Sequence, residues 1–156
     1  MRVLLLACVG CKADLPPLTD AQRTLDTRCT GPYADLLVDT FPTSLANATA
    51  VLGAPDSSGL SLVPNNVVTV GFIGLGSVTD APGADLRIVG TISGSAIVRV
   101  AQREMDFLYA GEINTNMPMV DIQVANVSSA LYVRITVVSG SLVIDAIEAV
   151  HDRCDQ

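Results

Sequence analysis

The sequence predicts an all-β protein, an antiparallel sandwich or jelly roll, on three observations. Its apolar residues are mostly Val, Leu, Ile and Ala, and the β-branched ones suit a pleated sheet. From Tyr33 onward apolar residues recur at every second position rather than with a helical period of 3.6. Turns rich in Gly, Pro, Asn and Asp separate these short runs. Such runs, without helical segments between them, indicate two sheets packed face to face.

The strands are predicted from this alternation. Over 131–138, Leu131, Val133, Ile135 and Val137 are expected on one face of the strand. The opposite face is expected to carry Tyr132, Arg134, Thr136 and Val138. Similarly, we expect Val120, Ile122 and Val124 to face inward and Asp121 outward. The four clearest predicted strands are 67–72, 96–100, 120–124 and 131–138, and the weaker ones are 35–41, 50–52, 60–63, 85–89, 106–110 and 142–150.

The first residues have the pattern of a bacterial export signal, in which a cation precedes an apolar run and small residues. The run resembles a lipoprotein signal, which ends in a Cys that is acylated. Cys11 follows Val9-Gly10 in this way, and Cys8 is the alternative. A buried strand over 3–9 is the other interpretation of this run. We expect a signal at 1–11, a tether with room for one short helix at 12–28, and a β-sandwich domain at 29–154.

Two further cysteines, Cys29 and Cys154, bracket the predicted domain. Because exported proteins meet an oxidising compartment, we predict a disulfide between them. Closing so long a loop stabilises a fold by about 4–5 kcal/mol in the chain-entropy model. Two unpaired thiols are the alternative. Cys8 and Cys11 have CxxC spacing, but the sequence has no second CxxC pair and no pair of histidines to complete a zinc site. Structural zinc is therefore not expected.

The charge of the chain excludes several partners. Its net charge is −7 and Lys12 is its only lysine, whereas nucleic-acid binding needs clustered cations. Acidity also disfavours adhesion to anionic lipid surfaces, so we expect membrane association only through an N-terminal lipid. The glycine-rich stretch 70–79 is similar to a dinucleotide-binding turn. However, Pro82-Gly83 falls where the helix of that motif would run, so we do not expect a nicotinamide cofactor.

Five short segments of the sequence form a recurrent pattern: 50–56, 67–72, 79–88, 131–135 and 145–150. Together they resemble the discoidin-like (galactose-binding-domain-like) jelly roll of bacterial surface proteins. The resemblance implies about eight strands, chain termini that lie side by side, and non-catalytic attachment to surfaces, often to glycans. The stretch 89–95 departs from the pattern, because it is short and lacks the aromatic residues that such domains often carry there.

Four residues are candidates for ligand binding. Tyr132 is predicted on an outward face, where an aromatic ring can stack on a sugar. Glu112, Asn114 and Asn116 belong to a polar loop that can form hydrogen bonds with a ligand. The alternative is an ordinary hairpin loop, with Tyr132 covering a sheet edge.

Calcium is the one cofactor that the sequence suggests. Asp80 and Asp85 flank a Pro-Gly turn, and Asp56 ends a similar turn. Carboxylates are the hard oxygen ligands that calcium prefers. The alternative is turn chemistry, because Asp side chains commonly accept hydrogen bonds from nearby backbone amides.

The sequence does not predict an enzyme. His151, the only histidine, lies near the chain end, and Glu104, Asp106 and Glu112 lie on a predicted hairpin at 98–113. We expect an envelope-anchored binding or adhesion module whose partner is a surface glycan or a protein. The alternative is a structural subunit that self-assembles into a surface layer or filament. Outward apolar residues on the predicted strands favour this alternative: Val67, Ile97 and Val138.

Overall fold

The computed structural model describes residues 31–74, 77–103 and 106–151. In these ranges the chain forms eleven strands and two single-turn 3₁₀ helices, all strand pairs being antiparallel, which confirms the predicted β-sandwich class. No helix in the described ranges is long and apolar enough to cross a membrane. The predicted signal, tether and disulfide concern residues outside these ranges and stay predictions.

Eight of the strands have three or more residues, in agreement with the expected number. The strands are β1 Leu36–Phe41, β2 Leu60–Leu62, β3 Val67–Gly71, β4 Val78–Thr79, β5 Leu86–Ile92, β6 Ser95–Ala101, β7 Leu108–Asn114, β8 Met119–Val120, β9 Ser129–Ala130, β10 Tyr132–Ser139 and β11 Leu142–Ala149. The two helices are η1 Ala48–Val51 and η2 Ile122–Ala125.

The strands form two main sheets. The five-stranded sheet has the order β1-β3-β10-β6-β7, and the four-stranded sheet has the order β2-β11-β5-β8. The short strands β4 and β9 pair separately. Each main sheet turns one apolar face toward a shared core, as the alternation predicts. Buried residues from both sheets form this core, including Val68, Val98, Val133 and Ile135 from the first and Leu60, Leu86, Ile144 and Ile147 from the second.

Two predicted strands are wrong. Segment 120–124 is a strand only as far as Val120, because Asp121 accepts a hydrogen bond from the Gln123 N–H at 2.8 Å and starts helix η2. As a result Val124, predicted inward, is 62% exposed. Segment 50–52 belongs mostly to helix η1, which follows Asn47 in the left-handed region at φ 58°.

The two ends of the described domain run side by side. The Ala149 N–H donates to the Pro32 carbonyl at 2.6 Å, and the Ala34 N–H donates to the Ile147 carbonyl at 2.9 Å. Between these bonds Tyr33 pairs with Glu148 of β11. The chain therefore begins the domain against the four-stranded sheet and then crosses to β1 in the other layer. This adjacency agrees with the predicted arrangement of the termini.

Gly90 lies at a close approach between β5 and β11. The pairing of these strands shifts register between Ile144 and Ala146, and Gly90 adopts φ 143° there. A Cβ atom at this position would lie 2.0 Å from the Val143 carbonyl oxygen. Because this obstacle is backbone, a side-chain rotation cannot relieve it, and the two central strands of the sheet would have to separate.

We expect Gly90→Ala to lower the free energy of unfolding by about 2–4 kcal/mol, measured by urea denaturation. Gly83→Ala is the matched control, because Gly83 also has a positive φ (108°) but has open space around its Cβ position. The control isolates backbone strain, which we expect to cost about 1 kcal/mol. Equal losses in the two variants would contradict the steric explanation.

Candidate functional site

A buried carboxylate, Asp85, connects the turn before β5 to helix η2. The residue is fully buried, and its two oxygens accept hydrogen bonds from different segments. Oδ1 accepts from the Ala81 N–H at 3.0 Å, and Oδ2 accepts from the Ile122 N–H at 2.9 Å. The aspartate thus satisfies two backbone donors that would otherwise lack partners, which is the turn chemistry expected as the alternative to calcium binding.

Two more carboxylates, Asp80 and Asp121, join Asp85 in a cluster in which one oxygen of each residue lies within 4.8 Å of one oxygen of the other two. Burial raises the pKa of Asp85 above its ordinary value, and the neighbouring charges of Asp121 and Asp80 raise it further, while the two backbone hydrogen bonds lower it. Asp56 lies elsewhere, where its N–H donates to Asp145 at 3.2 Å. Calcium binding therefore stays a prediction, and two of its three expected ligands, Asp80 and Asp85, lie together.

Of the predicted ligand loop, Glu112 is instead a residue of strand β7, which continues to Asn114. Asn114 and Asn116 belong to the tight turn that leads from β7 toward β8. Backbone hydrogen bonds of 3.1 and 3.0 Å join Asn114 and Met117 in both directions. The Asn114 side chain accepts from the Asn116 N–H at 2.9 Å, so it stabilises the turn. Glu112 is exposed. The Asn114 side chain therefore acts as a turn residue. Hydrogen bonds from Glu112, Asn114 and Asn116 to a ligand stay a prediction.

Tyr132 does not lie beside this loop. It pairs with Ala101 on β6, whereas Glu112 pairs with Ile97 of the same strand. Four residues along a strand span about 13 Å. Tyr132 and Glu112 therefore stand toward opposite ends of the five-stranded sheet, and other outward residues occupy the space between them.

Those residues form a row of polar side chains across the outer face of the sheet. The strand register makes Asp39 a neighbour of Thr69, Thr69 a neighbour of Arg134, and Arg134 a neighbour of Arg99. The row therefore crosses four adjacent strands, β1, β3, β10 and β6, and carries its negative charge at one end and two positive charges at the other.

The Arg134 side chain is held on both sides. Its Nε donates to the Thr69 hydroxyl at 3.0 Å, and Thr69 is itself fully buried. The guanidinium carbon lies 3.9 Å from the centre of the Phe107 ring, a cation–π contact. Because a long side chain loses rotamer freedom when it is fixed in this way, Arg134 presents its guanidinium in a defined position.

Arg99 stands directly across from Arg134 on the neighbouring strand. Like charges that face each other across two strands destabilise a sheet. Among the described residues, no carboxylate lies within salt-bridge distance of either guanidinium, whereas Arg87 on the other sheet forms an ion pair with Glu148. Within the described ranges, the outer face therefore brings two arginines together without an ion-pair partner, in a chain whose net charge is −7.

A shallow depression of about 530 Å³ lies over this row, and we call it the sheet-face depression. Phe41 is 62% exposed at its rim. Its lining comprises Asp39, Phe41, Val67, Arg99, Phe107, Arg134 and Thr136. Arg134 is predicted outward from the sequence, but only the strand order and register show that it meets Arg99, Asp39 and Phe41 on one face.

A second, more apolar groove of about 340 Å³ lies along β7, β8 and helix η2, and we call it the β7–β8 groove. Several of its lining residues are large and exposed: Tyr109 at 52%, Met117 at 51% and Val124 at 62%. Because β7 is an edge strand of the five-stranded sheet, this groove adjoins backbone that has a strand partner on one side only.

Comparisons of this chain with protein-family models, with curated proteins and with solved structures find no match. The likeness to discoidin-like domains accordingly stays an expectation from the sequence.

The raised pKa of Asp85 predicts a specific pH dependence of stability. The folded state holds the Asp85 proton more tightly than the unfolded state does. The proton on Asp85 therefore contributes to the free energy of unfolding. This contribution is fully present below pH 3.8, the ordinary pKa of an aspartate, and is lost as the pH rises through the raised pKa. An asparagine side chain cannot ionise. We therefore expect the free energy of unfolding of the wild type, minus that of Asp85→Asn, to fall as the pH rises.

Urea denaturation at several pH values from 3.8 upward measures this difference. Asp56→Asn, an exposed change outside the cluster, is the matched control. A wild-type advantage that grows with pH would mean that the folded state favours the ionised carboxylate, contrary to the expectation from burial.

Proposed function

We propose that the domain is a non-catalytic binding module, held on the outside of a bacterial cell envelope by an N-terminal lipid, and that its ligand occupies the sheet-face depression. The observation that carries this proposal is the pair Arg99 and Arg134. The two residues face each other on adjacent strands without a carboxylate partner among the described residues. A ligand that neutralises them would remove a repulsion that the free protein bears.

The preorganisation of Arg134 supports binding as the role of this face. Thr69 and Phe107 already hold the guanidinium, so a ligand would not have to order it. A guanidinium group carries several N–H donors and no acceptor, which suits it to hold an anionic group.

The path of the chain also supports display on a surface. Tyr33 pairs with β11, so the polypeptide joins the domain at the four-stranded sheet. The depression lies on the outer face of the other sheet. An anchor attached through the preceding residues would therefore leave the depression accessible, since the layer that receives the chain lies on the opposite side of the core.

A glycan array probed with the purified full chain, with and without calcium, tests this function. We expect Arg134→Gln to reduce the binding signal about tenfold or more, because a hydrogen bond to a charged group contributes about 1.5–3 kcal/mol. Arg87→Gln is the matched control, since it removes the same charge from the outer face of the other sheet. Absence of binding to the array, or equal binding by the two variants, would contradict the proposal.

The β7–β8 groove favours a second candidate function, a subunit that assembles with copies of itself. Its exposed Tyr109, Met117 and Val124 could be covered by a second copy of the chain, and β7 beside them is an edge strand of its sheet. Of the three apolar residues predicted outward, Val67 and Ile97 are half-buried on the outer face of the five-stranded sheet, and Val138 is 51% exposed.

Sedimentation velocity over a range of concentrations tests the assembly candidate. If it is correct, the wild type associates and Val124→Asp abolishes the association. Val63→Asp, at a valine that is 54% exposed and outside the groove, is expected to leave association intact. A wild type that sediments as a monomer at every concentration would rule this candidate out.

A further inference from the structure

We infer that the sheet-face depression binds a saccharide that carries a carboxylate group, with the carboxylate between Arg99 and Arg134. This inference rests on the proposed function and names the chemical class of its ligand. Three features of the depression carry it: the paired guanidinium groups, the acceptor at the other end of the row, and the apolar surface beside it.

The paired guanidinium groups select an anion. Each offers planar N–H donors that match the two oxygens of a carboxylate, an arrangement that is stronger than a neutral hydrogen bond. The Nε of Arg134 is already engaged by Thr69, which leaves its terminal N–H groups for the ligand. A carboxylate here would replace a repulsive pair of cations with two attractive contacts.

The acceptor at the other end of the row requires a ligand that also donates hydrogen bonds. Asp39 is separated from Arg134 by strand β3, so their backbones lie about 10 Å apart at ordinary strand spacing. An ionised carboxylate only accepts hydrogen bonds. The ligand must therefore extend beyond its own carboxylate and present hydroxyl groups toward Asp39, with the Thr136 hydroxyl within the same depression.

The apolar surface lies one row further along the same face. The register places Phe41 beside Val67 and Val67 beside Thr136. Phe41 is 62% exposed and lines the depression. A sugar ring has polar hydroxyls at its edge and C–H groups on its faces, so it can contact this aromatic side chain while its substituents reach the polar row.

The position of the depression disfavours a peptide ligand. Extended peptides commonly gain affinity by pairing with an exposed strand edge. Arg99 and Arg134 lie on β6 and β10, each of which already has strand partners on both sides, and only β1 at the side of the depression is an edge strand. A peptide backbone that pairs with the free edge of β1 would lie away from the two arginines, whereas a saccharide satisfies its hydrogen bonds through side chains alone.

Isothermal titration of the full chain with trigalacturonate and with its fully methyl-esterified form tests the inference. The two probes share rings and hydroxyls and differ in charge. We expect trigalacturonate to bind at least tenfold more tightly than the ester, and its affinity to fall as salt is added. Arg99→Gln and Arg134→Gln should each reduce that affinity at least tenfold, while Arg87→Gln should change it less than twofold.

Two further variants examine the other parts of the depression. Phe41→Ala should weaken both probes severalfold, because the apolar contact does not depend on the carboxylate. Arg134→Lys should fall between the wild type and Arg134→Gln, since it keeps the charge but loses the planar fork. Thermal unfolding checks the fold, and Arg99→Gln should melt at or above the wild-type temperature because it removes a like-charge neighbour.

The outcomes separate this inference from the proposed function. Equal affinity for trigalacturonate and its ester would overturn recognition of the carboxylate but would leave the proposed binding function in place. Tighter binding of a hexaglutamate peptide than of trigalacturonate would overturn the saccharide class. No binding of either sugar probe would overturn the inference. The proposed function itself fails only if the array also shows no binding that depends on Arg134.

Discussion

The pairing of β10 in the middle of the five-stranded sheet is the constraint on which the rest of the structure depends. Its inward residues Val133, Ile135 and Val137 are buried in the core, and its outward residues include Arg134. A slip of one residue would exchange the two sets and turn the arginine toward the core. The hydrophobic pattern that folds the sheet therefore also determines which side chains form the depression.

This coupling explains how the domain tolerates two arginines that face each other. Full burial of a Val or Ile side chain contributes about 1.5–3 kcal/mol, and β10 alone buries three of them. A like-charge pair across strands costs about 0.2–1 kcal/mol. The stabilisation from burying these side chains under the depression is thus several times larger than the cost of the like-charge pair. The unfavourable pair can therefore persist where a ligand would benefit from it.

Alternation predicts much of the fold because it is a local property, legible in β3, β6 and β10 without knowledge of their partners. It fails at 120–124, where the Asp121 side chain and the left-handed Asn126 replace a strand with helix η2. The candidate site was less predictable. Arg99 and Arg134 are 35 positions apart in the sequence, and their adjacency follows from strand order and register, which the local pattern does not contain. The Asp85 cluster is a similar case, since Asp121 joins it through tertiary packing.

The two candidate functions occupy different elements, which makes them physically separable. The depression is built on β1, β3, β10 and β6, whereas the groove is built on β7, β8 and helix η2. Asp85 holds the start of η2 through the Ile122 N–H, so disturbing that carboxylate should affect the helix that carries Val124. The arginine row is fixed by the ladder of the five-stranded sheet and by Thr69 and Phe107. A change that loosens η2 should therefore leave ligand binding in the depression intact, because the contacts that hold Arg134 come from Thr69 and Phe107 and not from η2.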